Sequence, residues 1–248
     1  MPPKRSSLWC PLRMGLVLVS VIAVVSVGSC ALDTAPSEVT LAPDARSSIS
    51  AAKAGSALAA LNTLAVKGRA PKTGYARDLF GQAWADVDRN GCDTRNDVLR
   101  RDLQPSVLRS GTHGCLVLSG TLRDPYTGTT IAFVRGQSTS SLVQIDHVVP
   151  LSDAWQKGAQ QWPTSRRTAL ANDPLNLLAV DGLTNQHKSD GDSATWLPPN
   201  KAYRCPYVAR QIAVKVKYGL WVTGAERDAL GRILATCPSQ TLPVAGSR

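Results

Sequence analysis

Four cysteines, Cys92, Cys115, Cys205 and Cys237, constrain what this 248-residue chain can fold into more than any other feature of its sequence. The sequence has six cysteines, but Cys10 and Cys30 fall in the N-terminal segment that has the pattern of a signal peptide, which leaves these four. Four cysteines allow two disulfide bridges in three connectivities, and each bridge stabilises a fold by about 3 kcal/mol because it restricts the unfolded chain. We favour Cys92–Cys115 with Cys205–Cys237, since each of these pairs brackets one locally organised stretch. A four-cysteine zinc site is the alternative, but the sequence has no Cys-x-x-Cys pair to clamp a metal.

The first thirty residues have the pattern of a signal peptide. Three basic side chains precede an apolar run at residues 14–28, which is marginal for a permanent membrane span of about 20 residues. Residues 27–30, Val-Gly-Ser-Cys, resemble the lipobox of bacterial lipoproteins, and this resemblance implies that Cys30 is lipidated; ordinary cleavage nearby is the alternative. We expect an exported protein, extracellular or a cell-surface lipoprotein, that contacts a membrane only through this N-terminal segment.

The chain is basic, with a formal net charge of +10. The first thirty residues hold three basic and no acidic side chains, so the remainder carries +7. A basic surface attracts polyanions because their counterions are released on binding. The charge therefore fits a nucleic acid, an acidic cell wall or an anionic lipid surface, and does not choose among them.

The apolar pattern predicts one α+β domain, with a small antiparallel sheet and helices around it. Residues 31–47 are small, polar and without period, as in a flexible tether. We place the folded domain at residues 48–238 and a C-terminal tail at 239–248. The pattern predicts helices over residues 50–67, 207–218 and 224–235, a hairpin of residues 116–122 and 129–134, and two further strands over 142–149 and 175–180. Between those last strands, Ser152 is expected to cap a helix, and Thr223 with Glu226 to form a capping box.

Two segments carry the residues suited to chemistry. Residues 144–151 read Gln-Ile-Asp-His-Val-Val-Pro-Leu, so that Asp146 and His147 end a strand-like run. Residues 176–188 read Asn-Leu-Leu-Ala-Val-Asp-Gly-Leu-Thr-Asn-Gln-His-Lys, a strand followed by a helix. An isolated Asp-His pair is weak evidence of a site, because a turn at the solvent edge explains it equally well. The second segment gives the pair its weight.

Asp-His-x-x-Pro, then Asn-Leu at the start of a strand, then Asn-x-x-Lys opening a helix, resembles the HNH nucleases and their ββα-metal motif. The similarity is closest to exported actinobacterial proteins of this type and extends from about residue 84 to 237. It implies a ββα-metal core and an endonuclease that hydrolyses nucleic acid, DNA ahead of RNA, with low sequence specificity. It also implies a divalent metal ion, Mg²⁺ ahead of Mn²⁺. The oligomeric state is left open.

The residue types fit the hydrolysis of a phosphodiester, which needs a base for water and a cation for the leaving oxygen. His147 is the candidate base, since imidazole accepts a proton near neutral pH. Asp146 points to the other face of its strand and can hold a hard divalent ion together with Asn185. His187, two residues after Asn185, is the alternative second ligand.

The resemblance also assigns supporting roles. Asn176 would pin the loop and so orient the histidine, while Lys188 would be the cation on the phosphate side. Arg95, Arg166 and Arg167 are candidate substrate contacts, because a guanidinium can hold a phosphate through two hydrogen bonds.

Three further features have a weaker connection to function. Residues 86–97 superficially match an EF-hand calcium loop, but Cys92 lies inside them, so a turn locked by a disulfide is favoured. The evenly spread tryptophans are expected in the core, although they could stack on bases. Lys215 and Lys217 are further candidates for contacts with a nucleic-acid backbone.

One alternative hypothesis is a lipid-anchored module that binds nucleic acid or an envelope polyanion without cleaving it, and another is a different metallohydrolase at the cell envelope. The joint presence of Asp146, His147, Asn176, Asn185 and Lys188 favours the enzyme, because a non-catalytic relative would more often have lost one of them.

Overall fold

The computed structural model describes residues 55–243. The predicted signal peptide, Cys30, the predicted tether and the start of the first predicted helix lie outside these residues, as does the end of the predicted tail. Within 55–243, no helix has the length and apolar character needed to cross a membrane.

The described residues form seven α-helices and five β-strands. The helices are α1 (Ala57–Thr63), α2 (Thr94–Asp102), α3 (Leu151–Gln156), α4 (Thr164–Ala171), α5 (Gly182–Lys188), α6 (Arg204–Tyr218) and α7 (Gly224–Ala235). The strands are β1 (Leu103–Leu108), β2 (Val117–Arg123), β3 (Thr130–Val134), β4 (Val143–His147) and β5 (Leu177–Asp181). The strands form two small antiparallel sheets, in the orders β1-β2-β3 and β4-β5. This mixed architecture confirms the predicted α+β class.

Both disulfides have the favoured connectivity. Cys92–Cys115 joins the segment before α2 to the segment before β2, and Cys205–Cys237 joins the first turn of α6 to the residues after α7. All four candidate zinc ligands are therefore engaged in bridges, and the zinc alternative is wrong.

The three-stranded sheet contains the predicted hairpin, in which Ser119 lies opposite Val134 and Arg123 opposite Thr130. Helix α2 and strand β1, which precede it, were not predicted. The Asp93 carboxylate caps α2 by accepting the backbone N–H of Asn96 at 2.8 Å. The acidic residues that suggested a calcium loop thus serve a turn and a helix cap next to the Cys92 bridge.

The two-stranded sheet and α5 form the ββα unit. Strand β4 runs antiparallel to β5, with Asp146 opposite Leu178 and His147 opposite Leu177. Helix α5 begins directly after β5, where the Asp181 carboxylate accepts the backbone N–H of Thr184. A Cβ at Gly182 would overlap the backbone oxygen of Ser141, so only glycine lets the helix start this close to β4.

Three helices build the largest part of the core. Apolar side chains of α1, α6 and α7 bury one another around Tyr126, which is fully buried. The predicted capping box at Thr223 and Glu226 is confirmed. Helix α1 is shorter than predicted, because the chain leaves the helix after Thr63 to form a bridge between Val66 and Val222.

One local feature differs from expectation, and one predicted boundary stays a prediction. Ser152 does not cap a helix: α3 begins at Leu151 after Pro150, and the Ser152 hydroxyl donates instead to the Asp190 carboxylate at 3.1 Å. The residues predicted to start the C-terminal tail lie against the domain, where Thr241 forms an isolated bridge with Ser56. The described part of this segment therefore contacts the start of the first helix.

Lys215 is not available to a nucleic acid, and its predicted backbone contact is wrong. Its side chain is fully buried, with Nζ 2.9 Å from Glu226 Oε1 and 3.2 Å from Asp153 Oδ2. Lys157 joins the same buried cluster through Asp153, Asp192 and Glu226. Helices α3, α6 and α7 are thus tied together by ion pairs beneath the surface.

Candidate active site

His147 ends β4 and lies at a boundary between the protein interior and two cavities. Its ring Nε2 is 2.8 Å from the backbone oxygen of Ala171, the last residue of α4. A carbonyl oxygen only accepts, so Nε2 carries the proton and Nδ1 keeps its lone pair. Burial lowers the pKa of His147 to about 4. The side chain is therefore a neutral imidazole at physiological pH, with its basic nitrogen directed away from Ala171.

Asn176 holds the chain that follows His147. It is fully buried, and its Oδ1 accepts the backbone N–H of Val149 at 2.8 Å while its Nδ2 donates to the oxygen of Val149 at 3.2 Å. Its Nδ2 also lies 3.4 Å from the oxygen of Leu170, next to the residue that binds the histidine ring. These contacts fix the backbone beside His147, and the orienting role of Asn176 stays a prediction.

Asp146 points to the opposite face of β4 from His147. One carboxylate oxygen accepts from Lys188 Nζ at 2.9 Å, and the other accepts from the Tyr126 hydroxyl. Burial raises the pKa of Tyr126, so its hydroxyl stays a donor. Lys188 is itself buried and also donates to the backbone oxygen of His147. The structure thus places Lys188 against Asp146, and its contact with a phosphate stays a prediction.

Asn185 is the second residue that the structure brings to the Asp146 cavity. This polar cavity has a volume of about 360 Å³ and is lined by both residues. The Asn185 Nδ2 donates to the Gln144 side chain at 2.9 Å, which leaves its Oδ1 without a partner among residues 55–243. His187 is exposed and lines a different cavity, with Lys188 but not with Asp146. The geometry therefore favours Asn185 over His187.

These donors fit a magnesium-type ion. Carboxylate and amide oxygens are the ligands that hard cations prefer, and each Asp146 oxygen keeps a lone pair beyond its hydrogen bond. Within residues 55–243, at this site or elsewhere, no group of three or more His, Cys, Asp or Glu side chains is arranged to hold a metal. An ion held by Asp146 and Asn185 would keep most of its coordination positions for water or substrate.

The part of the chain that contains this site matches a known protein family. Residues 93–233, more than half of the chain, match the family model described as "GmrSD restriction endonucleases, C-terminal domain". The chain belongs to this family. A protein of Arthroderma benhamiae named "Uncharacterized secreted protein" is 42% identical over 186 residues, which cover 74% of this chain and 86% of that protein. The narrower resemblance to actinobacterial lipoproteins stays a prediction.

The matched part of this GmrSD C-terminal domain contains every residue of the ββα site, from Asp146 to Lys188. Two residues at the site precede it. Arg77 and Trp84 lie on the segment before α2, and Arg77 lines both the polar cavity and a neighbouring apolar cavity that also reaches His147. Arg77 is exposed, and within residues 55–243 its guanidinium makes no hydrogen bond or ion pair. Its positive charge acts to lower the pKa of His147.

Sequence reasoning missed Arg77, and no local signal would have identified it. It lies in a short 3-10 turn, Arg77–Phe80, which is distant in sequence from the Asp146-His147 segment and has no recognisable motif of its own. Tyr126 was missed for the same reason, since a turn tyrosine gives no hint that its hydroxyl reaches Asp146.

The three arginines predicted to bind substrate have other contacts. Arg95 lies over the ring of Trp84, with 6.0 Å between its guanidinium and the ring centroid. Arg166 and Arg167, both on α4, donate to backbone oxygens at 2.7 Å. None of the three is among the described residues that line the two cavities at His147. Their role in binding stays a prediction.

Proposed function

We propose that this GmrSD C-terminal domain is an exported, metal-dependent endonuclease that hydrolyses phosphodiester bonds of nucleic acid, DNA ahead of RNA, at His147. The observation that carries the proposal is the neutral His147 ring, which is fixed through Nε2 by Ala171, keeps Nδ1 free of a hydrogen bond within residues 55–243, and belongs to a residue that lines one cavity with Asp146 and Asn185. The family description supports nuclease chemistry. The two disulfides and the relative named as secreted support export.

In this mechanism, His147 acts as the general base. Nδ1 accepts a proton from the water that attacks phosphorus, while one P–O ester bond breaks and the leaving oxygen departs with the bonding electrons and takes a proton from solvent. The hydrogen bond from Nε2–H to Ala171 keeps the ring in the required orientation. Asn176 fixes the backbone on both sides of this contact, through Val149 and Leu170. The ring therefore needs no rearrangement before the proton moves.

The other residues of the site hold the metal ion and bind the phosphate. When bound through Asp146 and Asn185, Mg²⁺ or Mn²⁺ supplies positive charge that stabilises the negative charge developing on the phosphate. Lys188 holds the Asp146 carboxylate in place through their buried ion pair. Arg77, which has a free guanidinium at the shared edge of both cavities, binds a phosphate oxygen of the substrate.

The test uses the full chain with its disulfides intact, supercoiled plasmid, and Mg²⁺ or Mn²⁺ with and without a chelator. We expect nicking that the chelator abolishes and that His147→Ala slows by about 10²- to 10⁴-fold. The matched control is His113→Asn, which changes an exposed histidine in a left-handed conformation that asparagine tolerates, and it should keep the wild-type rate.

Two results would count against the proposal. Metal-dependent nicking that persists in His147→Ala would show that another group is the base. If the wild type cleaves neither DNA nor RNA with either metal, the non-catalytic binding module is the better description.

A further inference from the structure

An apolar cavity beside His147 has no part in the mechanism above. Its volume is about 330 Å³, and its walls come from the 3-10 turn Arg77–Phe80, the residues up to Trp84, and the end of α4. His147 and Arg77 also line the polar cavity, so the two cavities meet at the proposed base. A group bound in the apolar cavity would therefore lie next to the scissile phosphate.

The rings at this cavity suit a flat aromatic ligand. The Trp84 and His147 rings are nearly parallel, with an angle of 15° and centroids 6.4 Å apart. Phe80 adds a buried aromatic wall. Trp84 has a φ of 60°, which an L-residue adopts only at a cost in backbone strain. The strained residue is thus the one whose indole ring lines the cavity.

Asn172 gives the cavity one specific polar requirement. It is almost fully buried, and its Nδ2 donates to the backbone oxygens of Gln82 at 3.3 Å and Thr168 at 3.0 Å. Both partners only accept, so the amide cannot be turned round without losing both hydrogen bonds. Its Oδ1 is left buried without a hydrogen-bond partner among the described residues. Asn172 is one of the residues that line the cavity, and an N–H is the group that would satisfy its oxygen.

We propose that this cavity binds an unpaired nucleobase of the substrate, stacked on Trp84 and donating an N–H to Asn172, so that the protein cleaves single-stranded ahead of duplex nucleic acid. This inference rests on the proposed function. A nucleobase has flat π faces and N–H groups on its edge, which are the two properties that the cavity requires. In a duplex the faces are stacked and the N–H groups are paired, so a base enters only after it is extruded.

Arg77 lies where the nucleobase cavity meets the site of phosphodiester hydrolysis. Because it lines both cavities, its guanidinium lies between a base in one and the scissile phosphate in the other. A cation in that position fits the phosphate that joins the bound nucleotide to its neighbour. The base and the reacting phosphate therefore belong to adjoining parts of one strand.

The first test measures binding without cleavage. Wild-type protein in chelator is titrated against a labelled single-stranded oligonucleotide, the same sequence as a duplex, and the same strand with abasic sites, all at one salt concentration because phosphate contacts depend on salt. We expect the intact single strand to bind at least about 10-fold more tightly than the duplex or the abasic strand, as expected for base stacking on an aromatic side chain. Equal affinity for all three would overturn the inference.

The second test locates the base. Trp84→Ala should weaken binding of the single strand about 10-fold or more and leave the duplex unchanged, while Trp84→Phe should restore part of the affinity. Trp221→Ala is the matched control, because Trp221 is partly buried, as Trp84 is, and lines neither cavity at His147. An unchanged single-strand affinity in folded Trp84→Ala would overturn the inference, and the abasic comparison decides it if that variant does not fold.

The two proposals fail in different ways. Metal-dependent nicking without a preference for the single strand would keep the proposed function and overturn the base site. Base-dependent binding of the single strand by a protein that cleaves nothing would support the base site and overturn the proposed function.

Discussion

Lys188 Nζ lies 2.9 Å from Asp146 Oδ1 and 2.9 Å from the backbone oxygen of His147. Lys188 is the last residue of α5, and the two acceptors belong to the last two residues of β4. This contact therefore joins the helix of the ββα unit to its first strand. Lys188 and Asp146 are both buried. Removing one partner of a buried ion pair leaves a charge that the interior cannot solvate.

Lys188→Met should therefore lower the free energy of unfolding by about 3–5 kcal/mol, because it leaves the Asp146 carboxylate buried without its cation. Urea denaturation measures this change. The double variant Asp146→Asn with Lys188→Met removes both charges. Its loss in the free energy of unfolding should be smaller than the sum of the losses in the two single variants. Additive losses would show that the two side chains are not coupled.

Asn176→Ala should reduce both stability and turnover. The variant leaves the backbone N–H and oxygen of Val149 unpaired in the interior, at a cost of about 2–4 kcal/mol. It also releases the chain next to His147, so kcat should fall much more than KM rises. Steady-state kinetics below the melting temperature of the variant measures this ratio. A raised KM with unchanged kcat would contradict the orienting role.

Asn185→Ala should weaken the binding of Mn²⁺ alone by about 10-fold, because it removes the free amide oxygen at the Asp146 cavity. His187→Ala is its control, since His187 lines a different cavity. Isothermal titration calorimetry on both variants distinguishes the two candidate ligands. If His187→Ala weakens Mn²⁺ binding and Asn185→Ala does not, the histidine is the ligand.

Lys157→Met should destabilise the domain by about 3–5 kcal/mol, because it withdraws one cation from a buried cluster that contains Asp153, Asp192 and Glu226. Lys217→Met is the matched control. Lys217 pairs with a carboxylate at 2.6 Å but is about half exposed, so its loss should cost less than about 1 kcal/mol. Comparable melting temperatures for the two variants would show that the buried cluster does not contribute as argued.

The ββα unit could be predicted because its signals are local. Asp146 and His147 end one strand, and Asn176 precedes the next by a single residue, so the order of residue types already specifies two strands and a helix. The hairpin and the capping box at Thr223 were predictable for the same reason. In each case, the partners are close in sequence and the geometry follows from the backbone.

The rest depends on contacts between distant parts of the chain. Helix α2 has only Val98 and Leu99 as apolar residues in its nine positions, and β1 contains Pro105, which disfavours a strand. The carbonyl that fixes His147 is a backbone atom of Ala171, which no side-chain pattern reveals. Lys215 was predicted to be a surface cation, because the acidic residues that pair with it in the interior lie on two other helices.

The same buried cluster predicts an acid limit to stability. Burial acts to raise the pKa of Asp192, but the hydrogen bond from Lys157 and the charges of Lys157 and Arg69 outweigh it and hold that pKa below its usual range. A carboxyl whose pKa is lower in the folded than in the unfolded state stabilises the fold above the unfolded pKa, about 3.9. This contribution is lost as the pH falls through the folded pKa.

Asp192→Asn removes this carboxyl, so the wild type should exceed the variant in Tm by the largest margin near pH 7, and the margin should narrow as the pH falls below about 4. Thermal unfolding followed by circular dichroism from pH 7 to pH 2.5 measures it. Asp228→Asn is the control, because Asp228 forms no ion pair within the described chain. A margin for Asp192→Asn that stays constant down to pH 2.5 would mean that Lys157 and Arg69 do not stabilise the fold through this carboxylate.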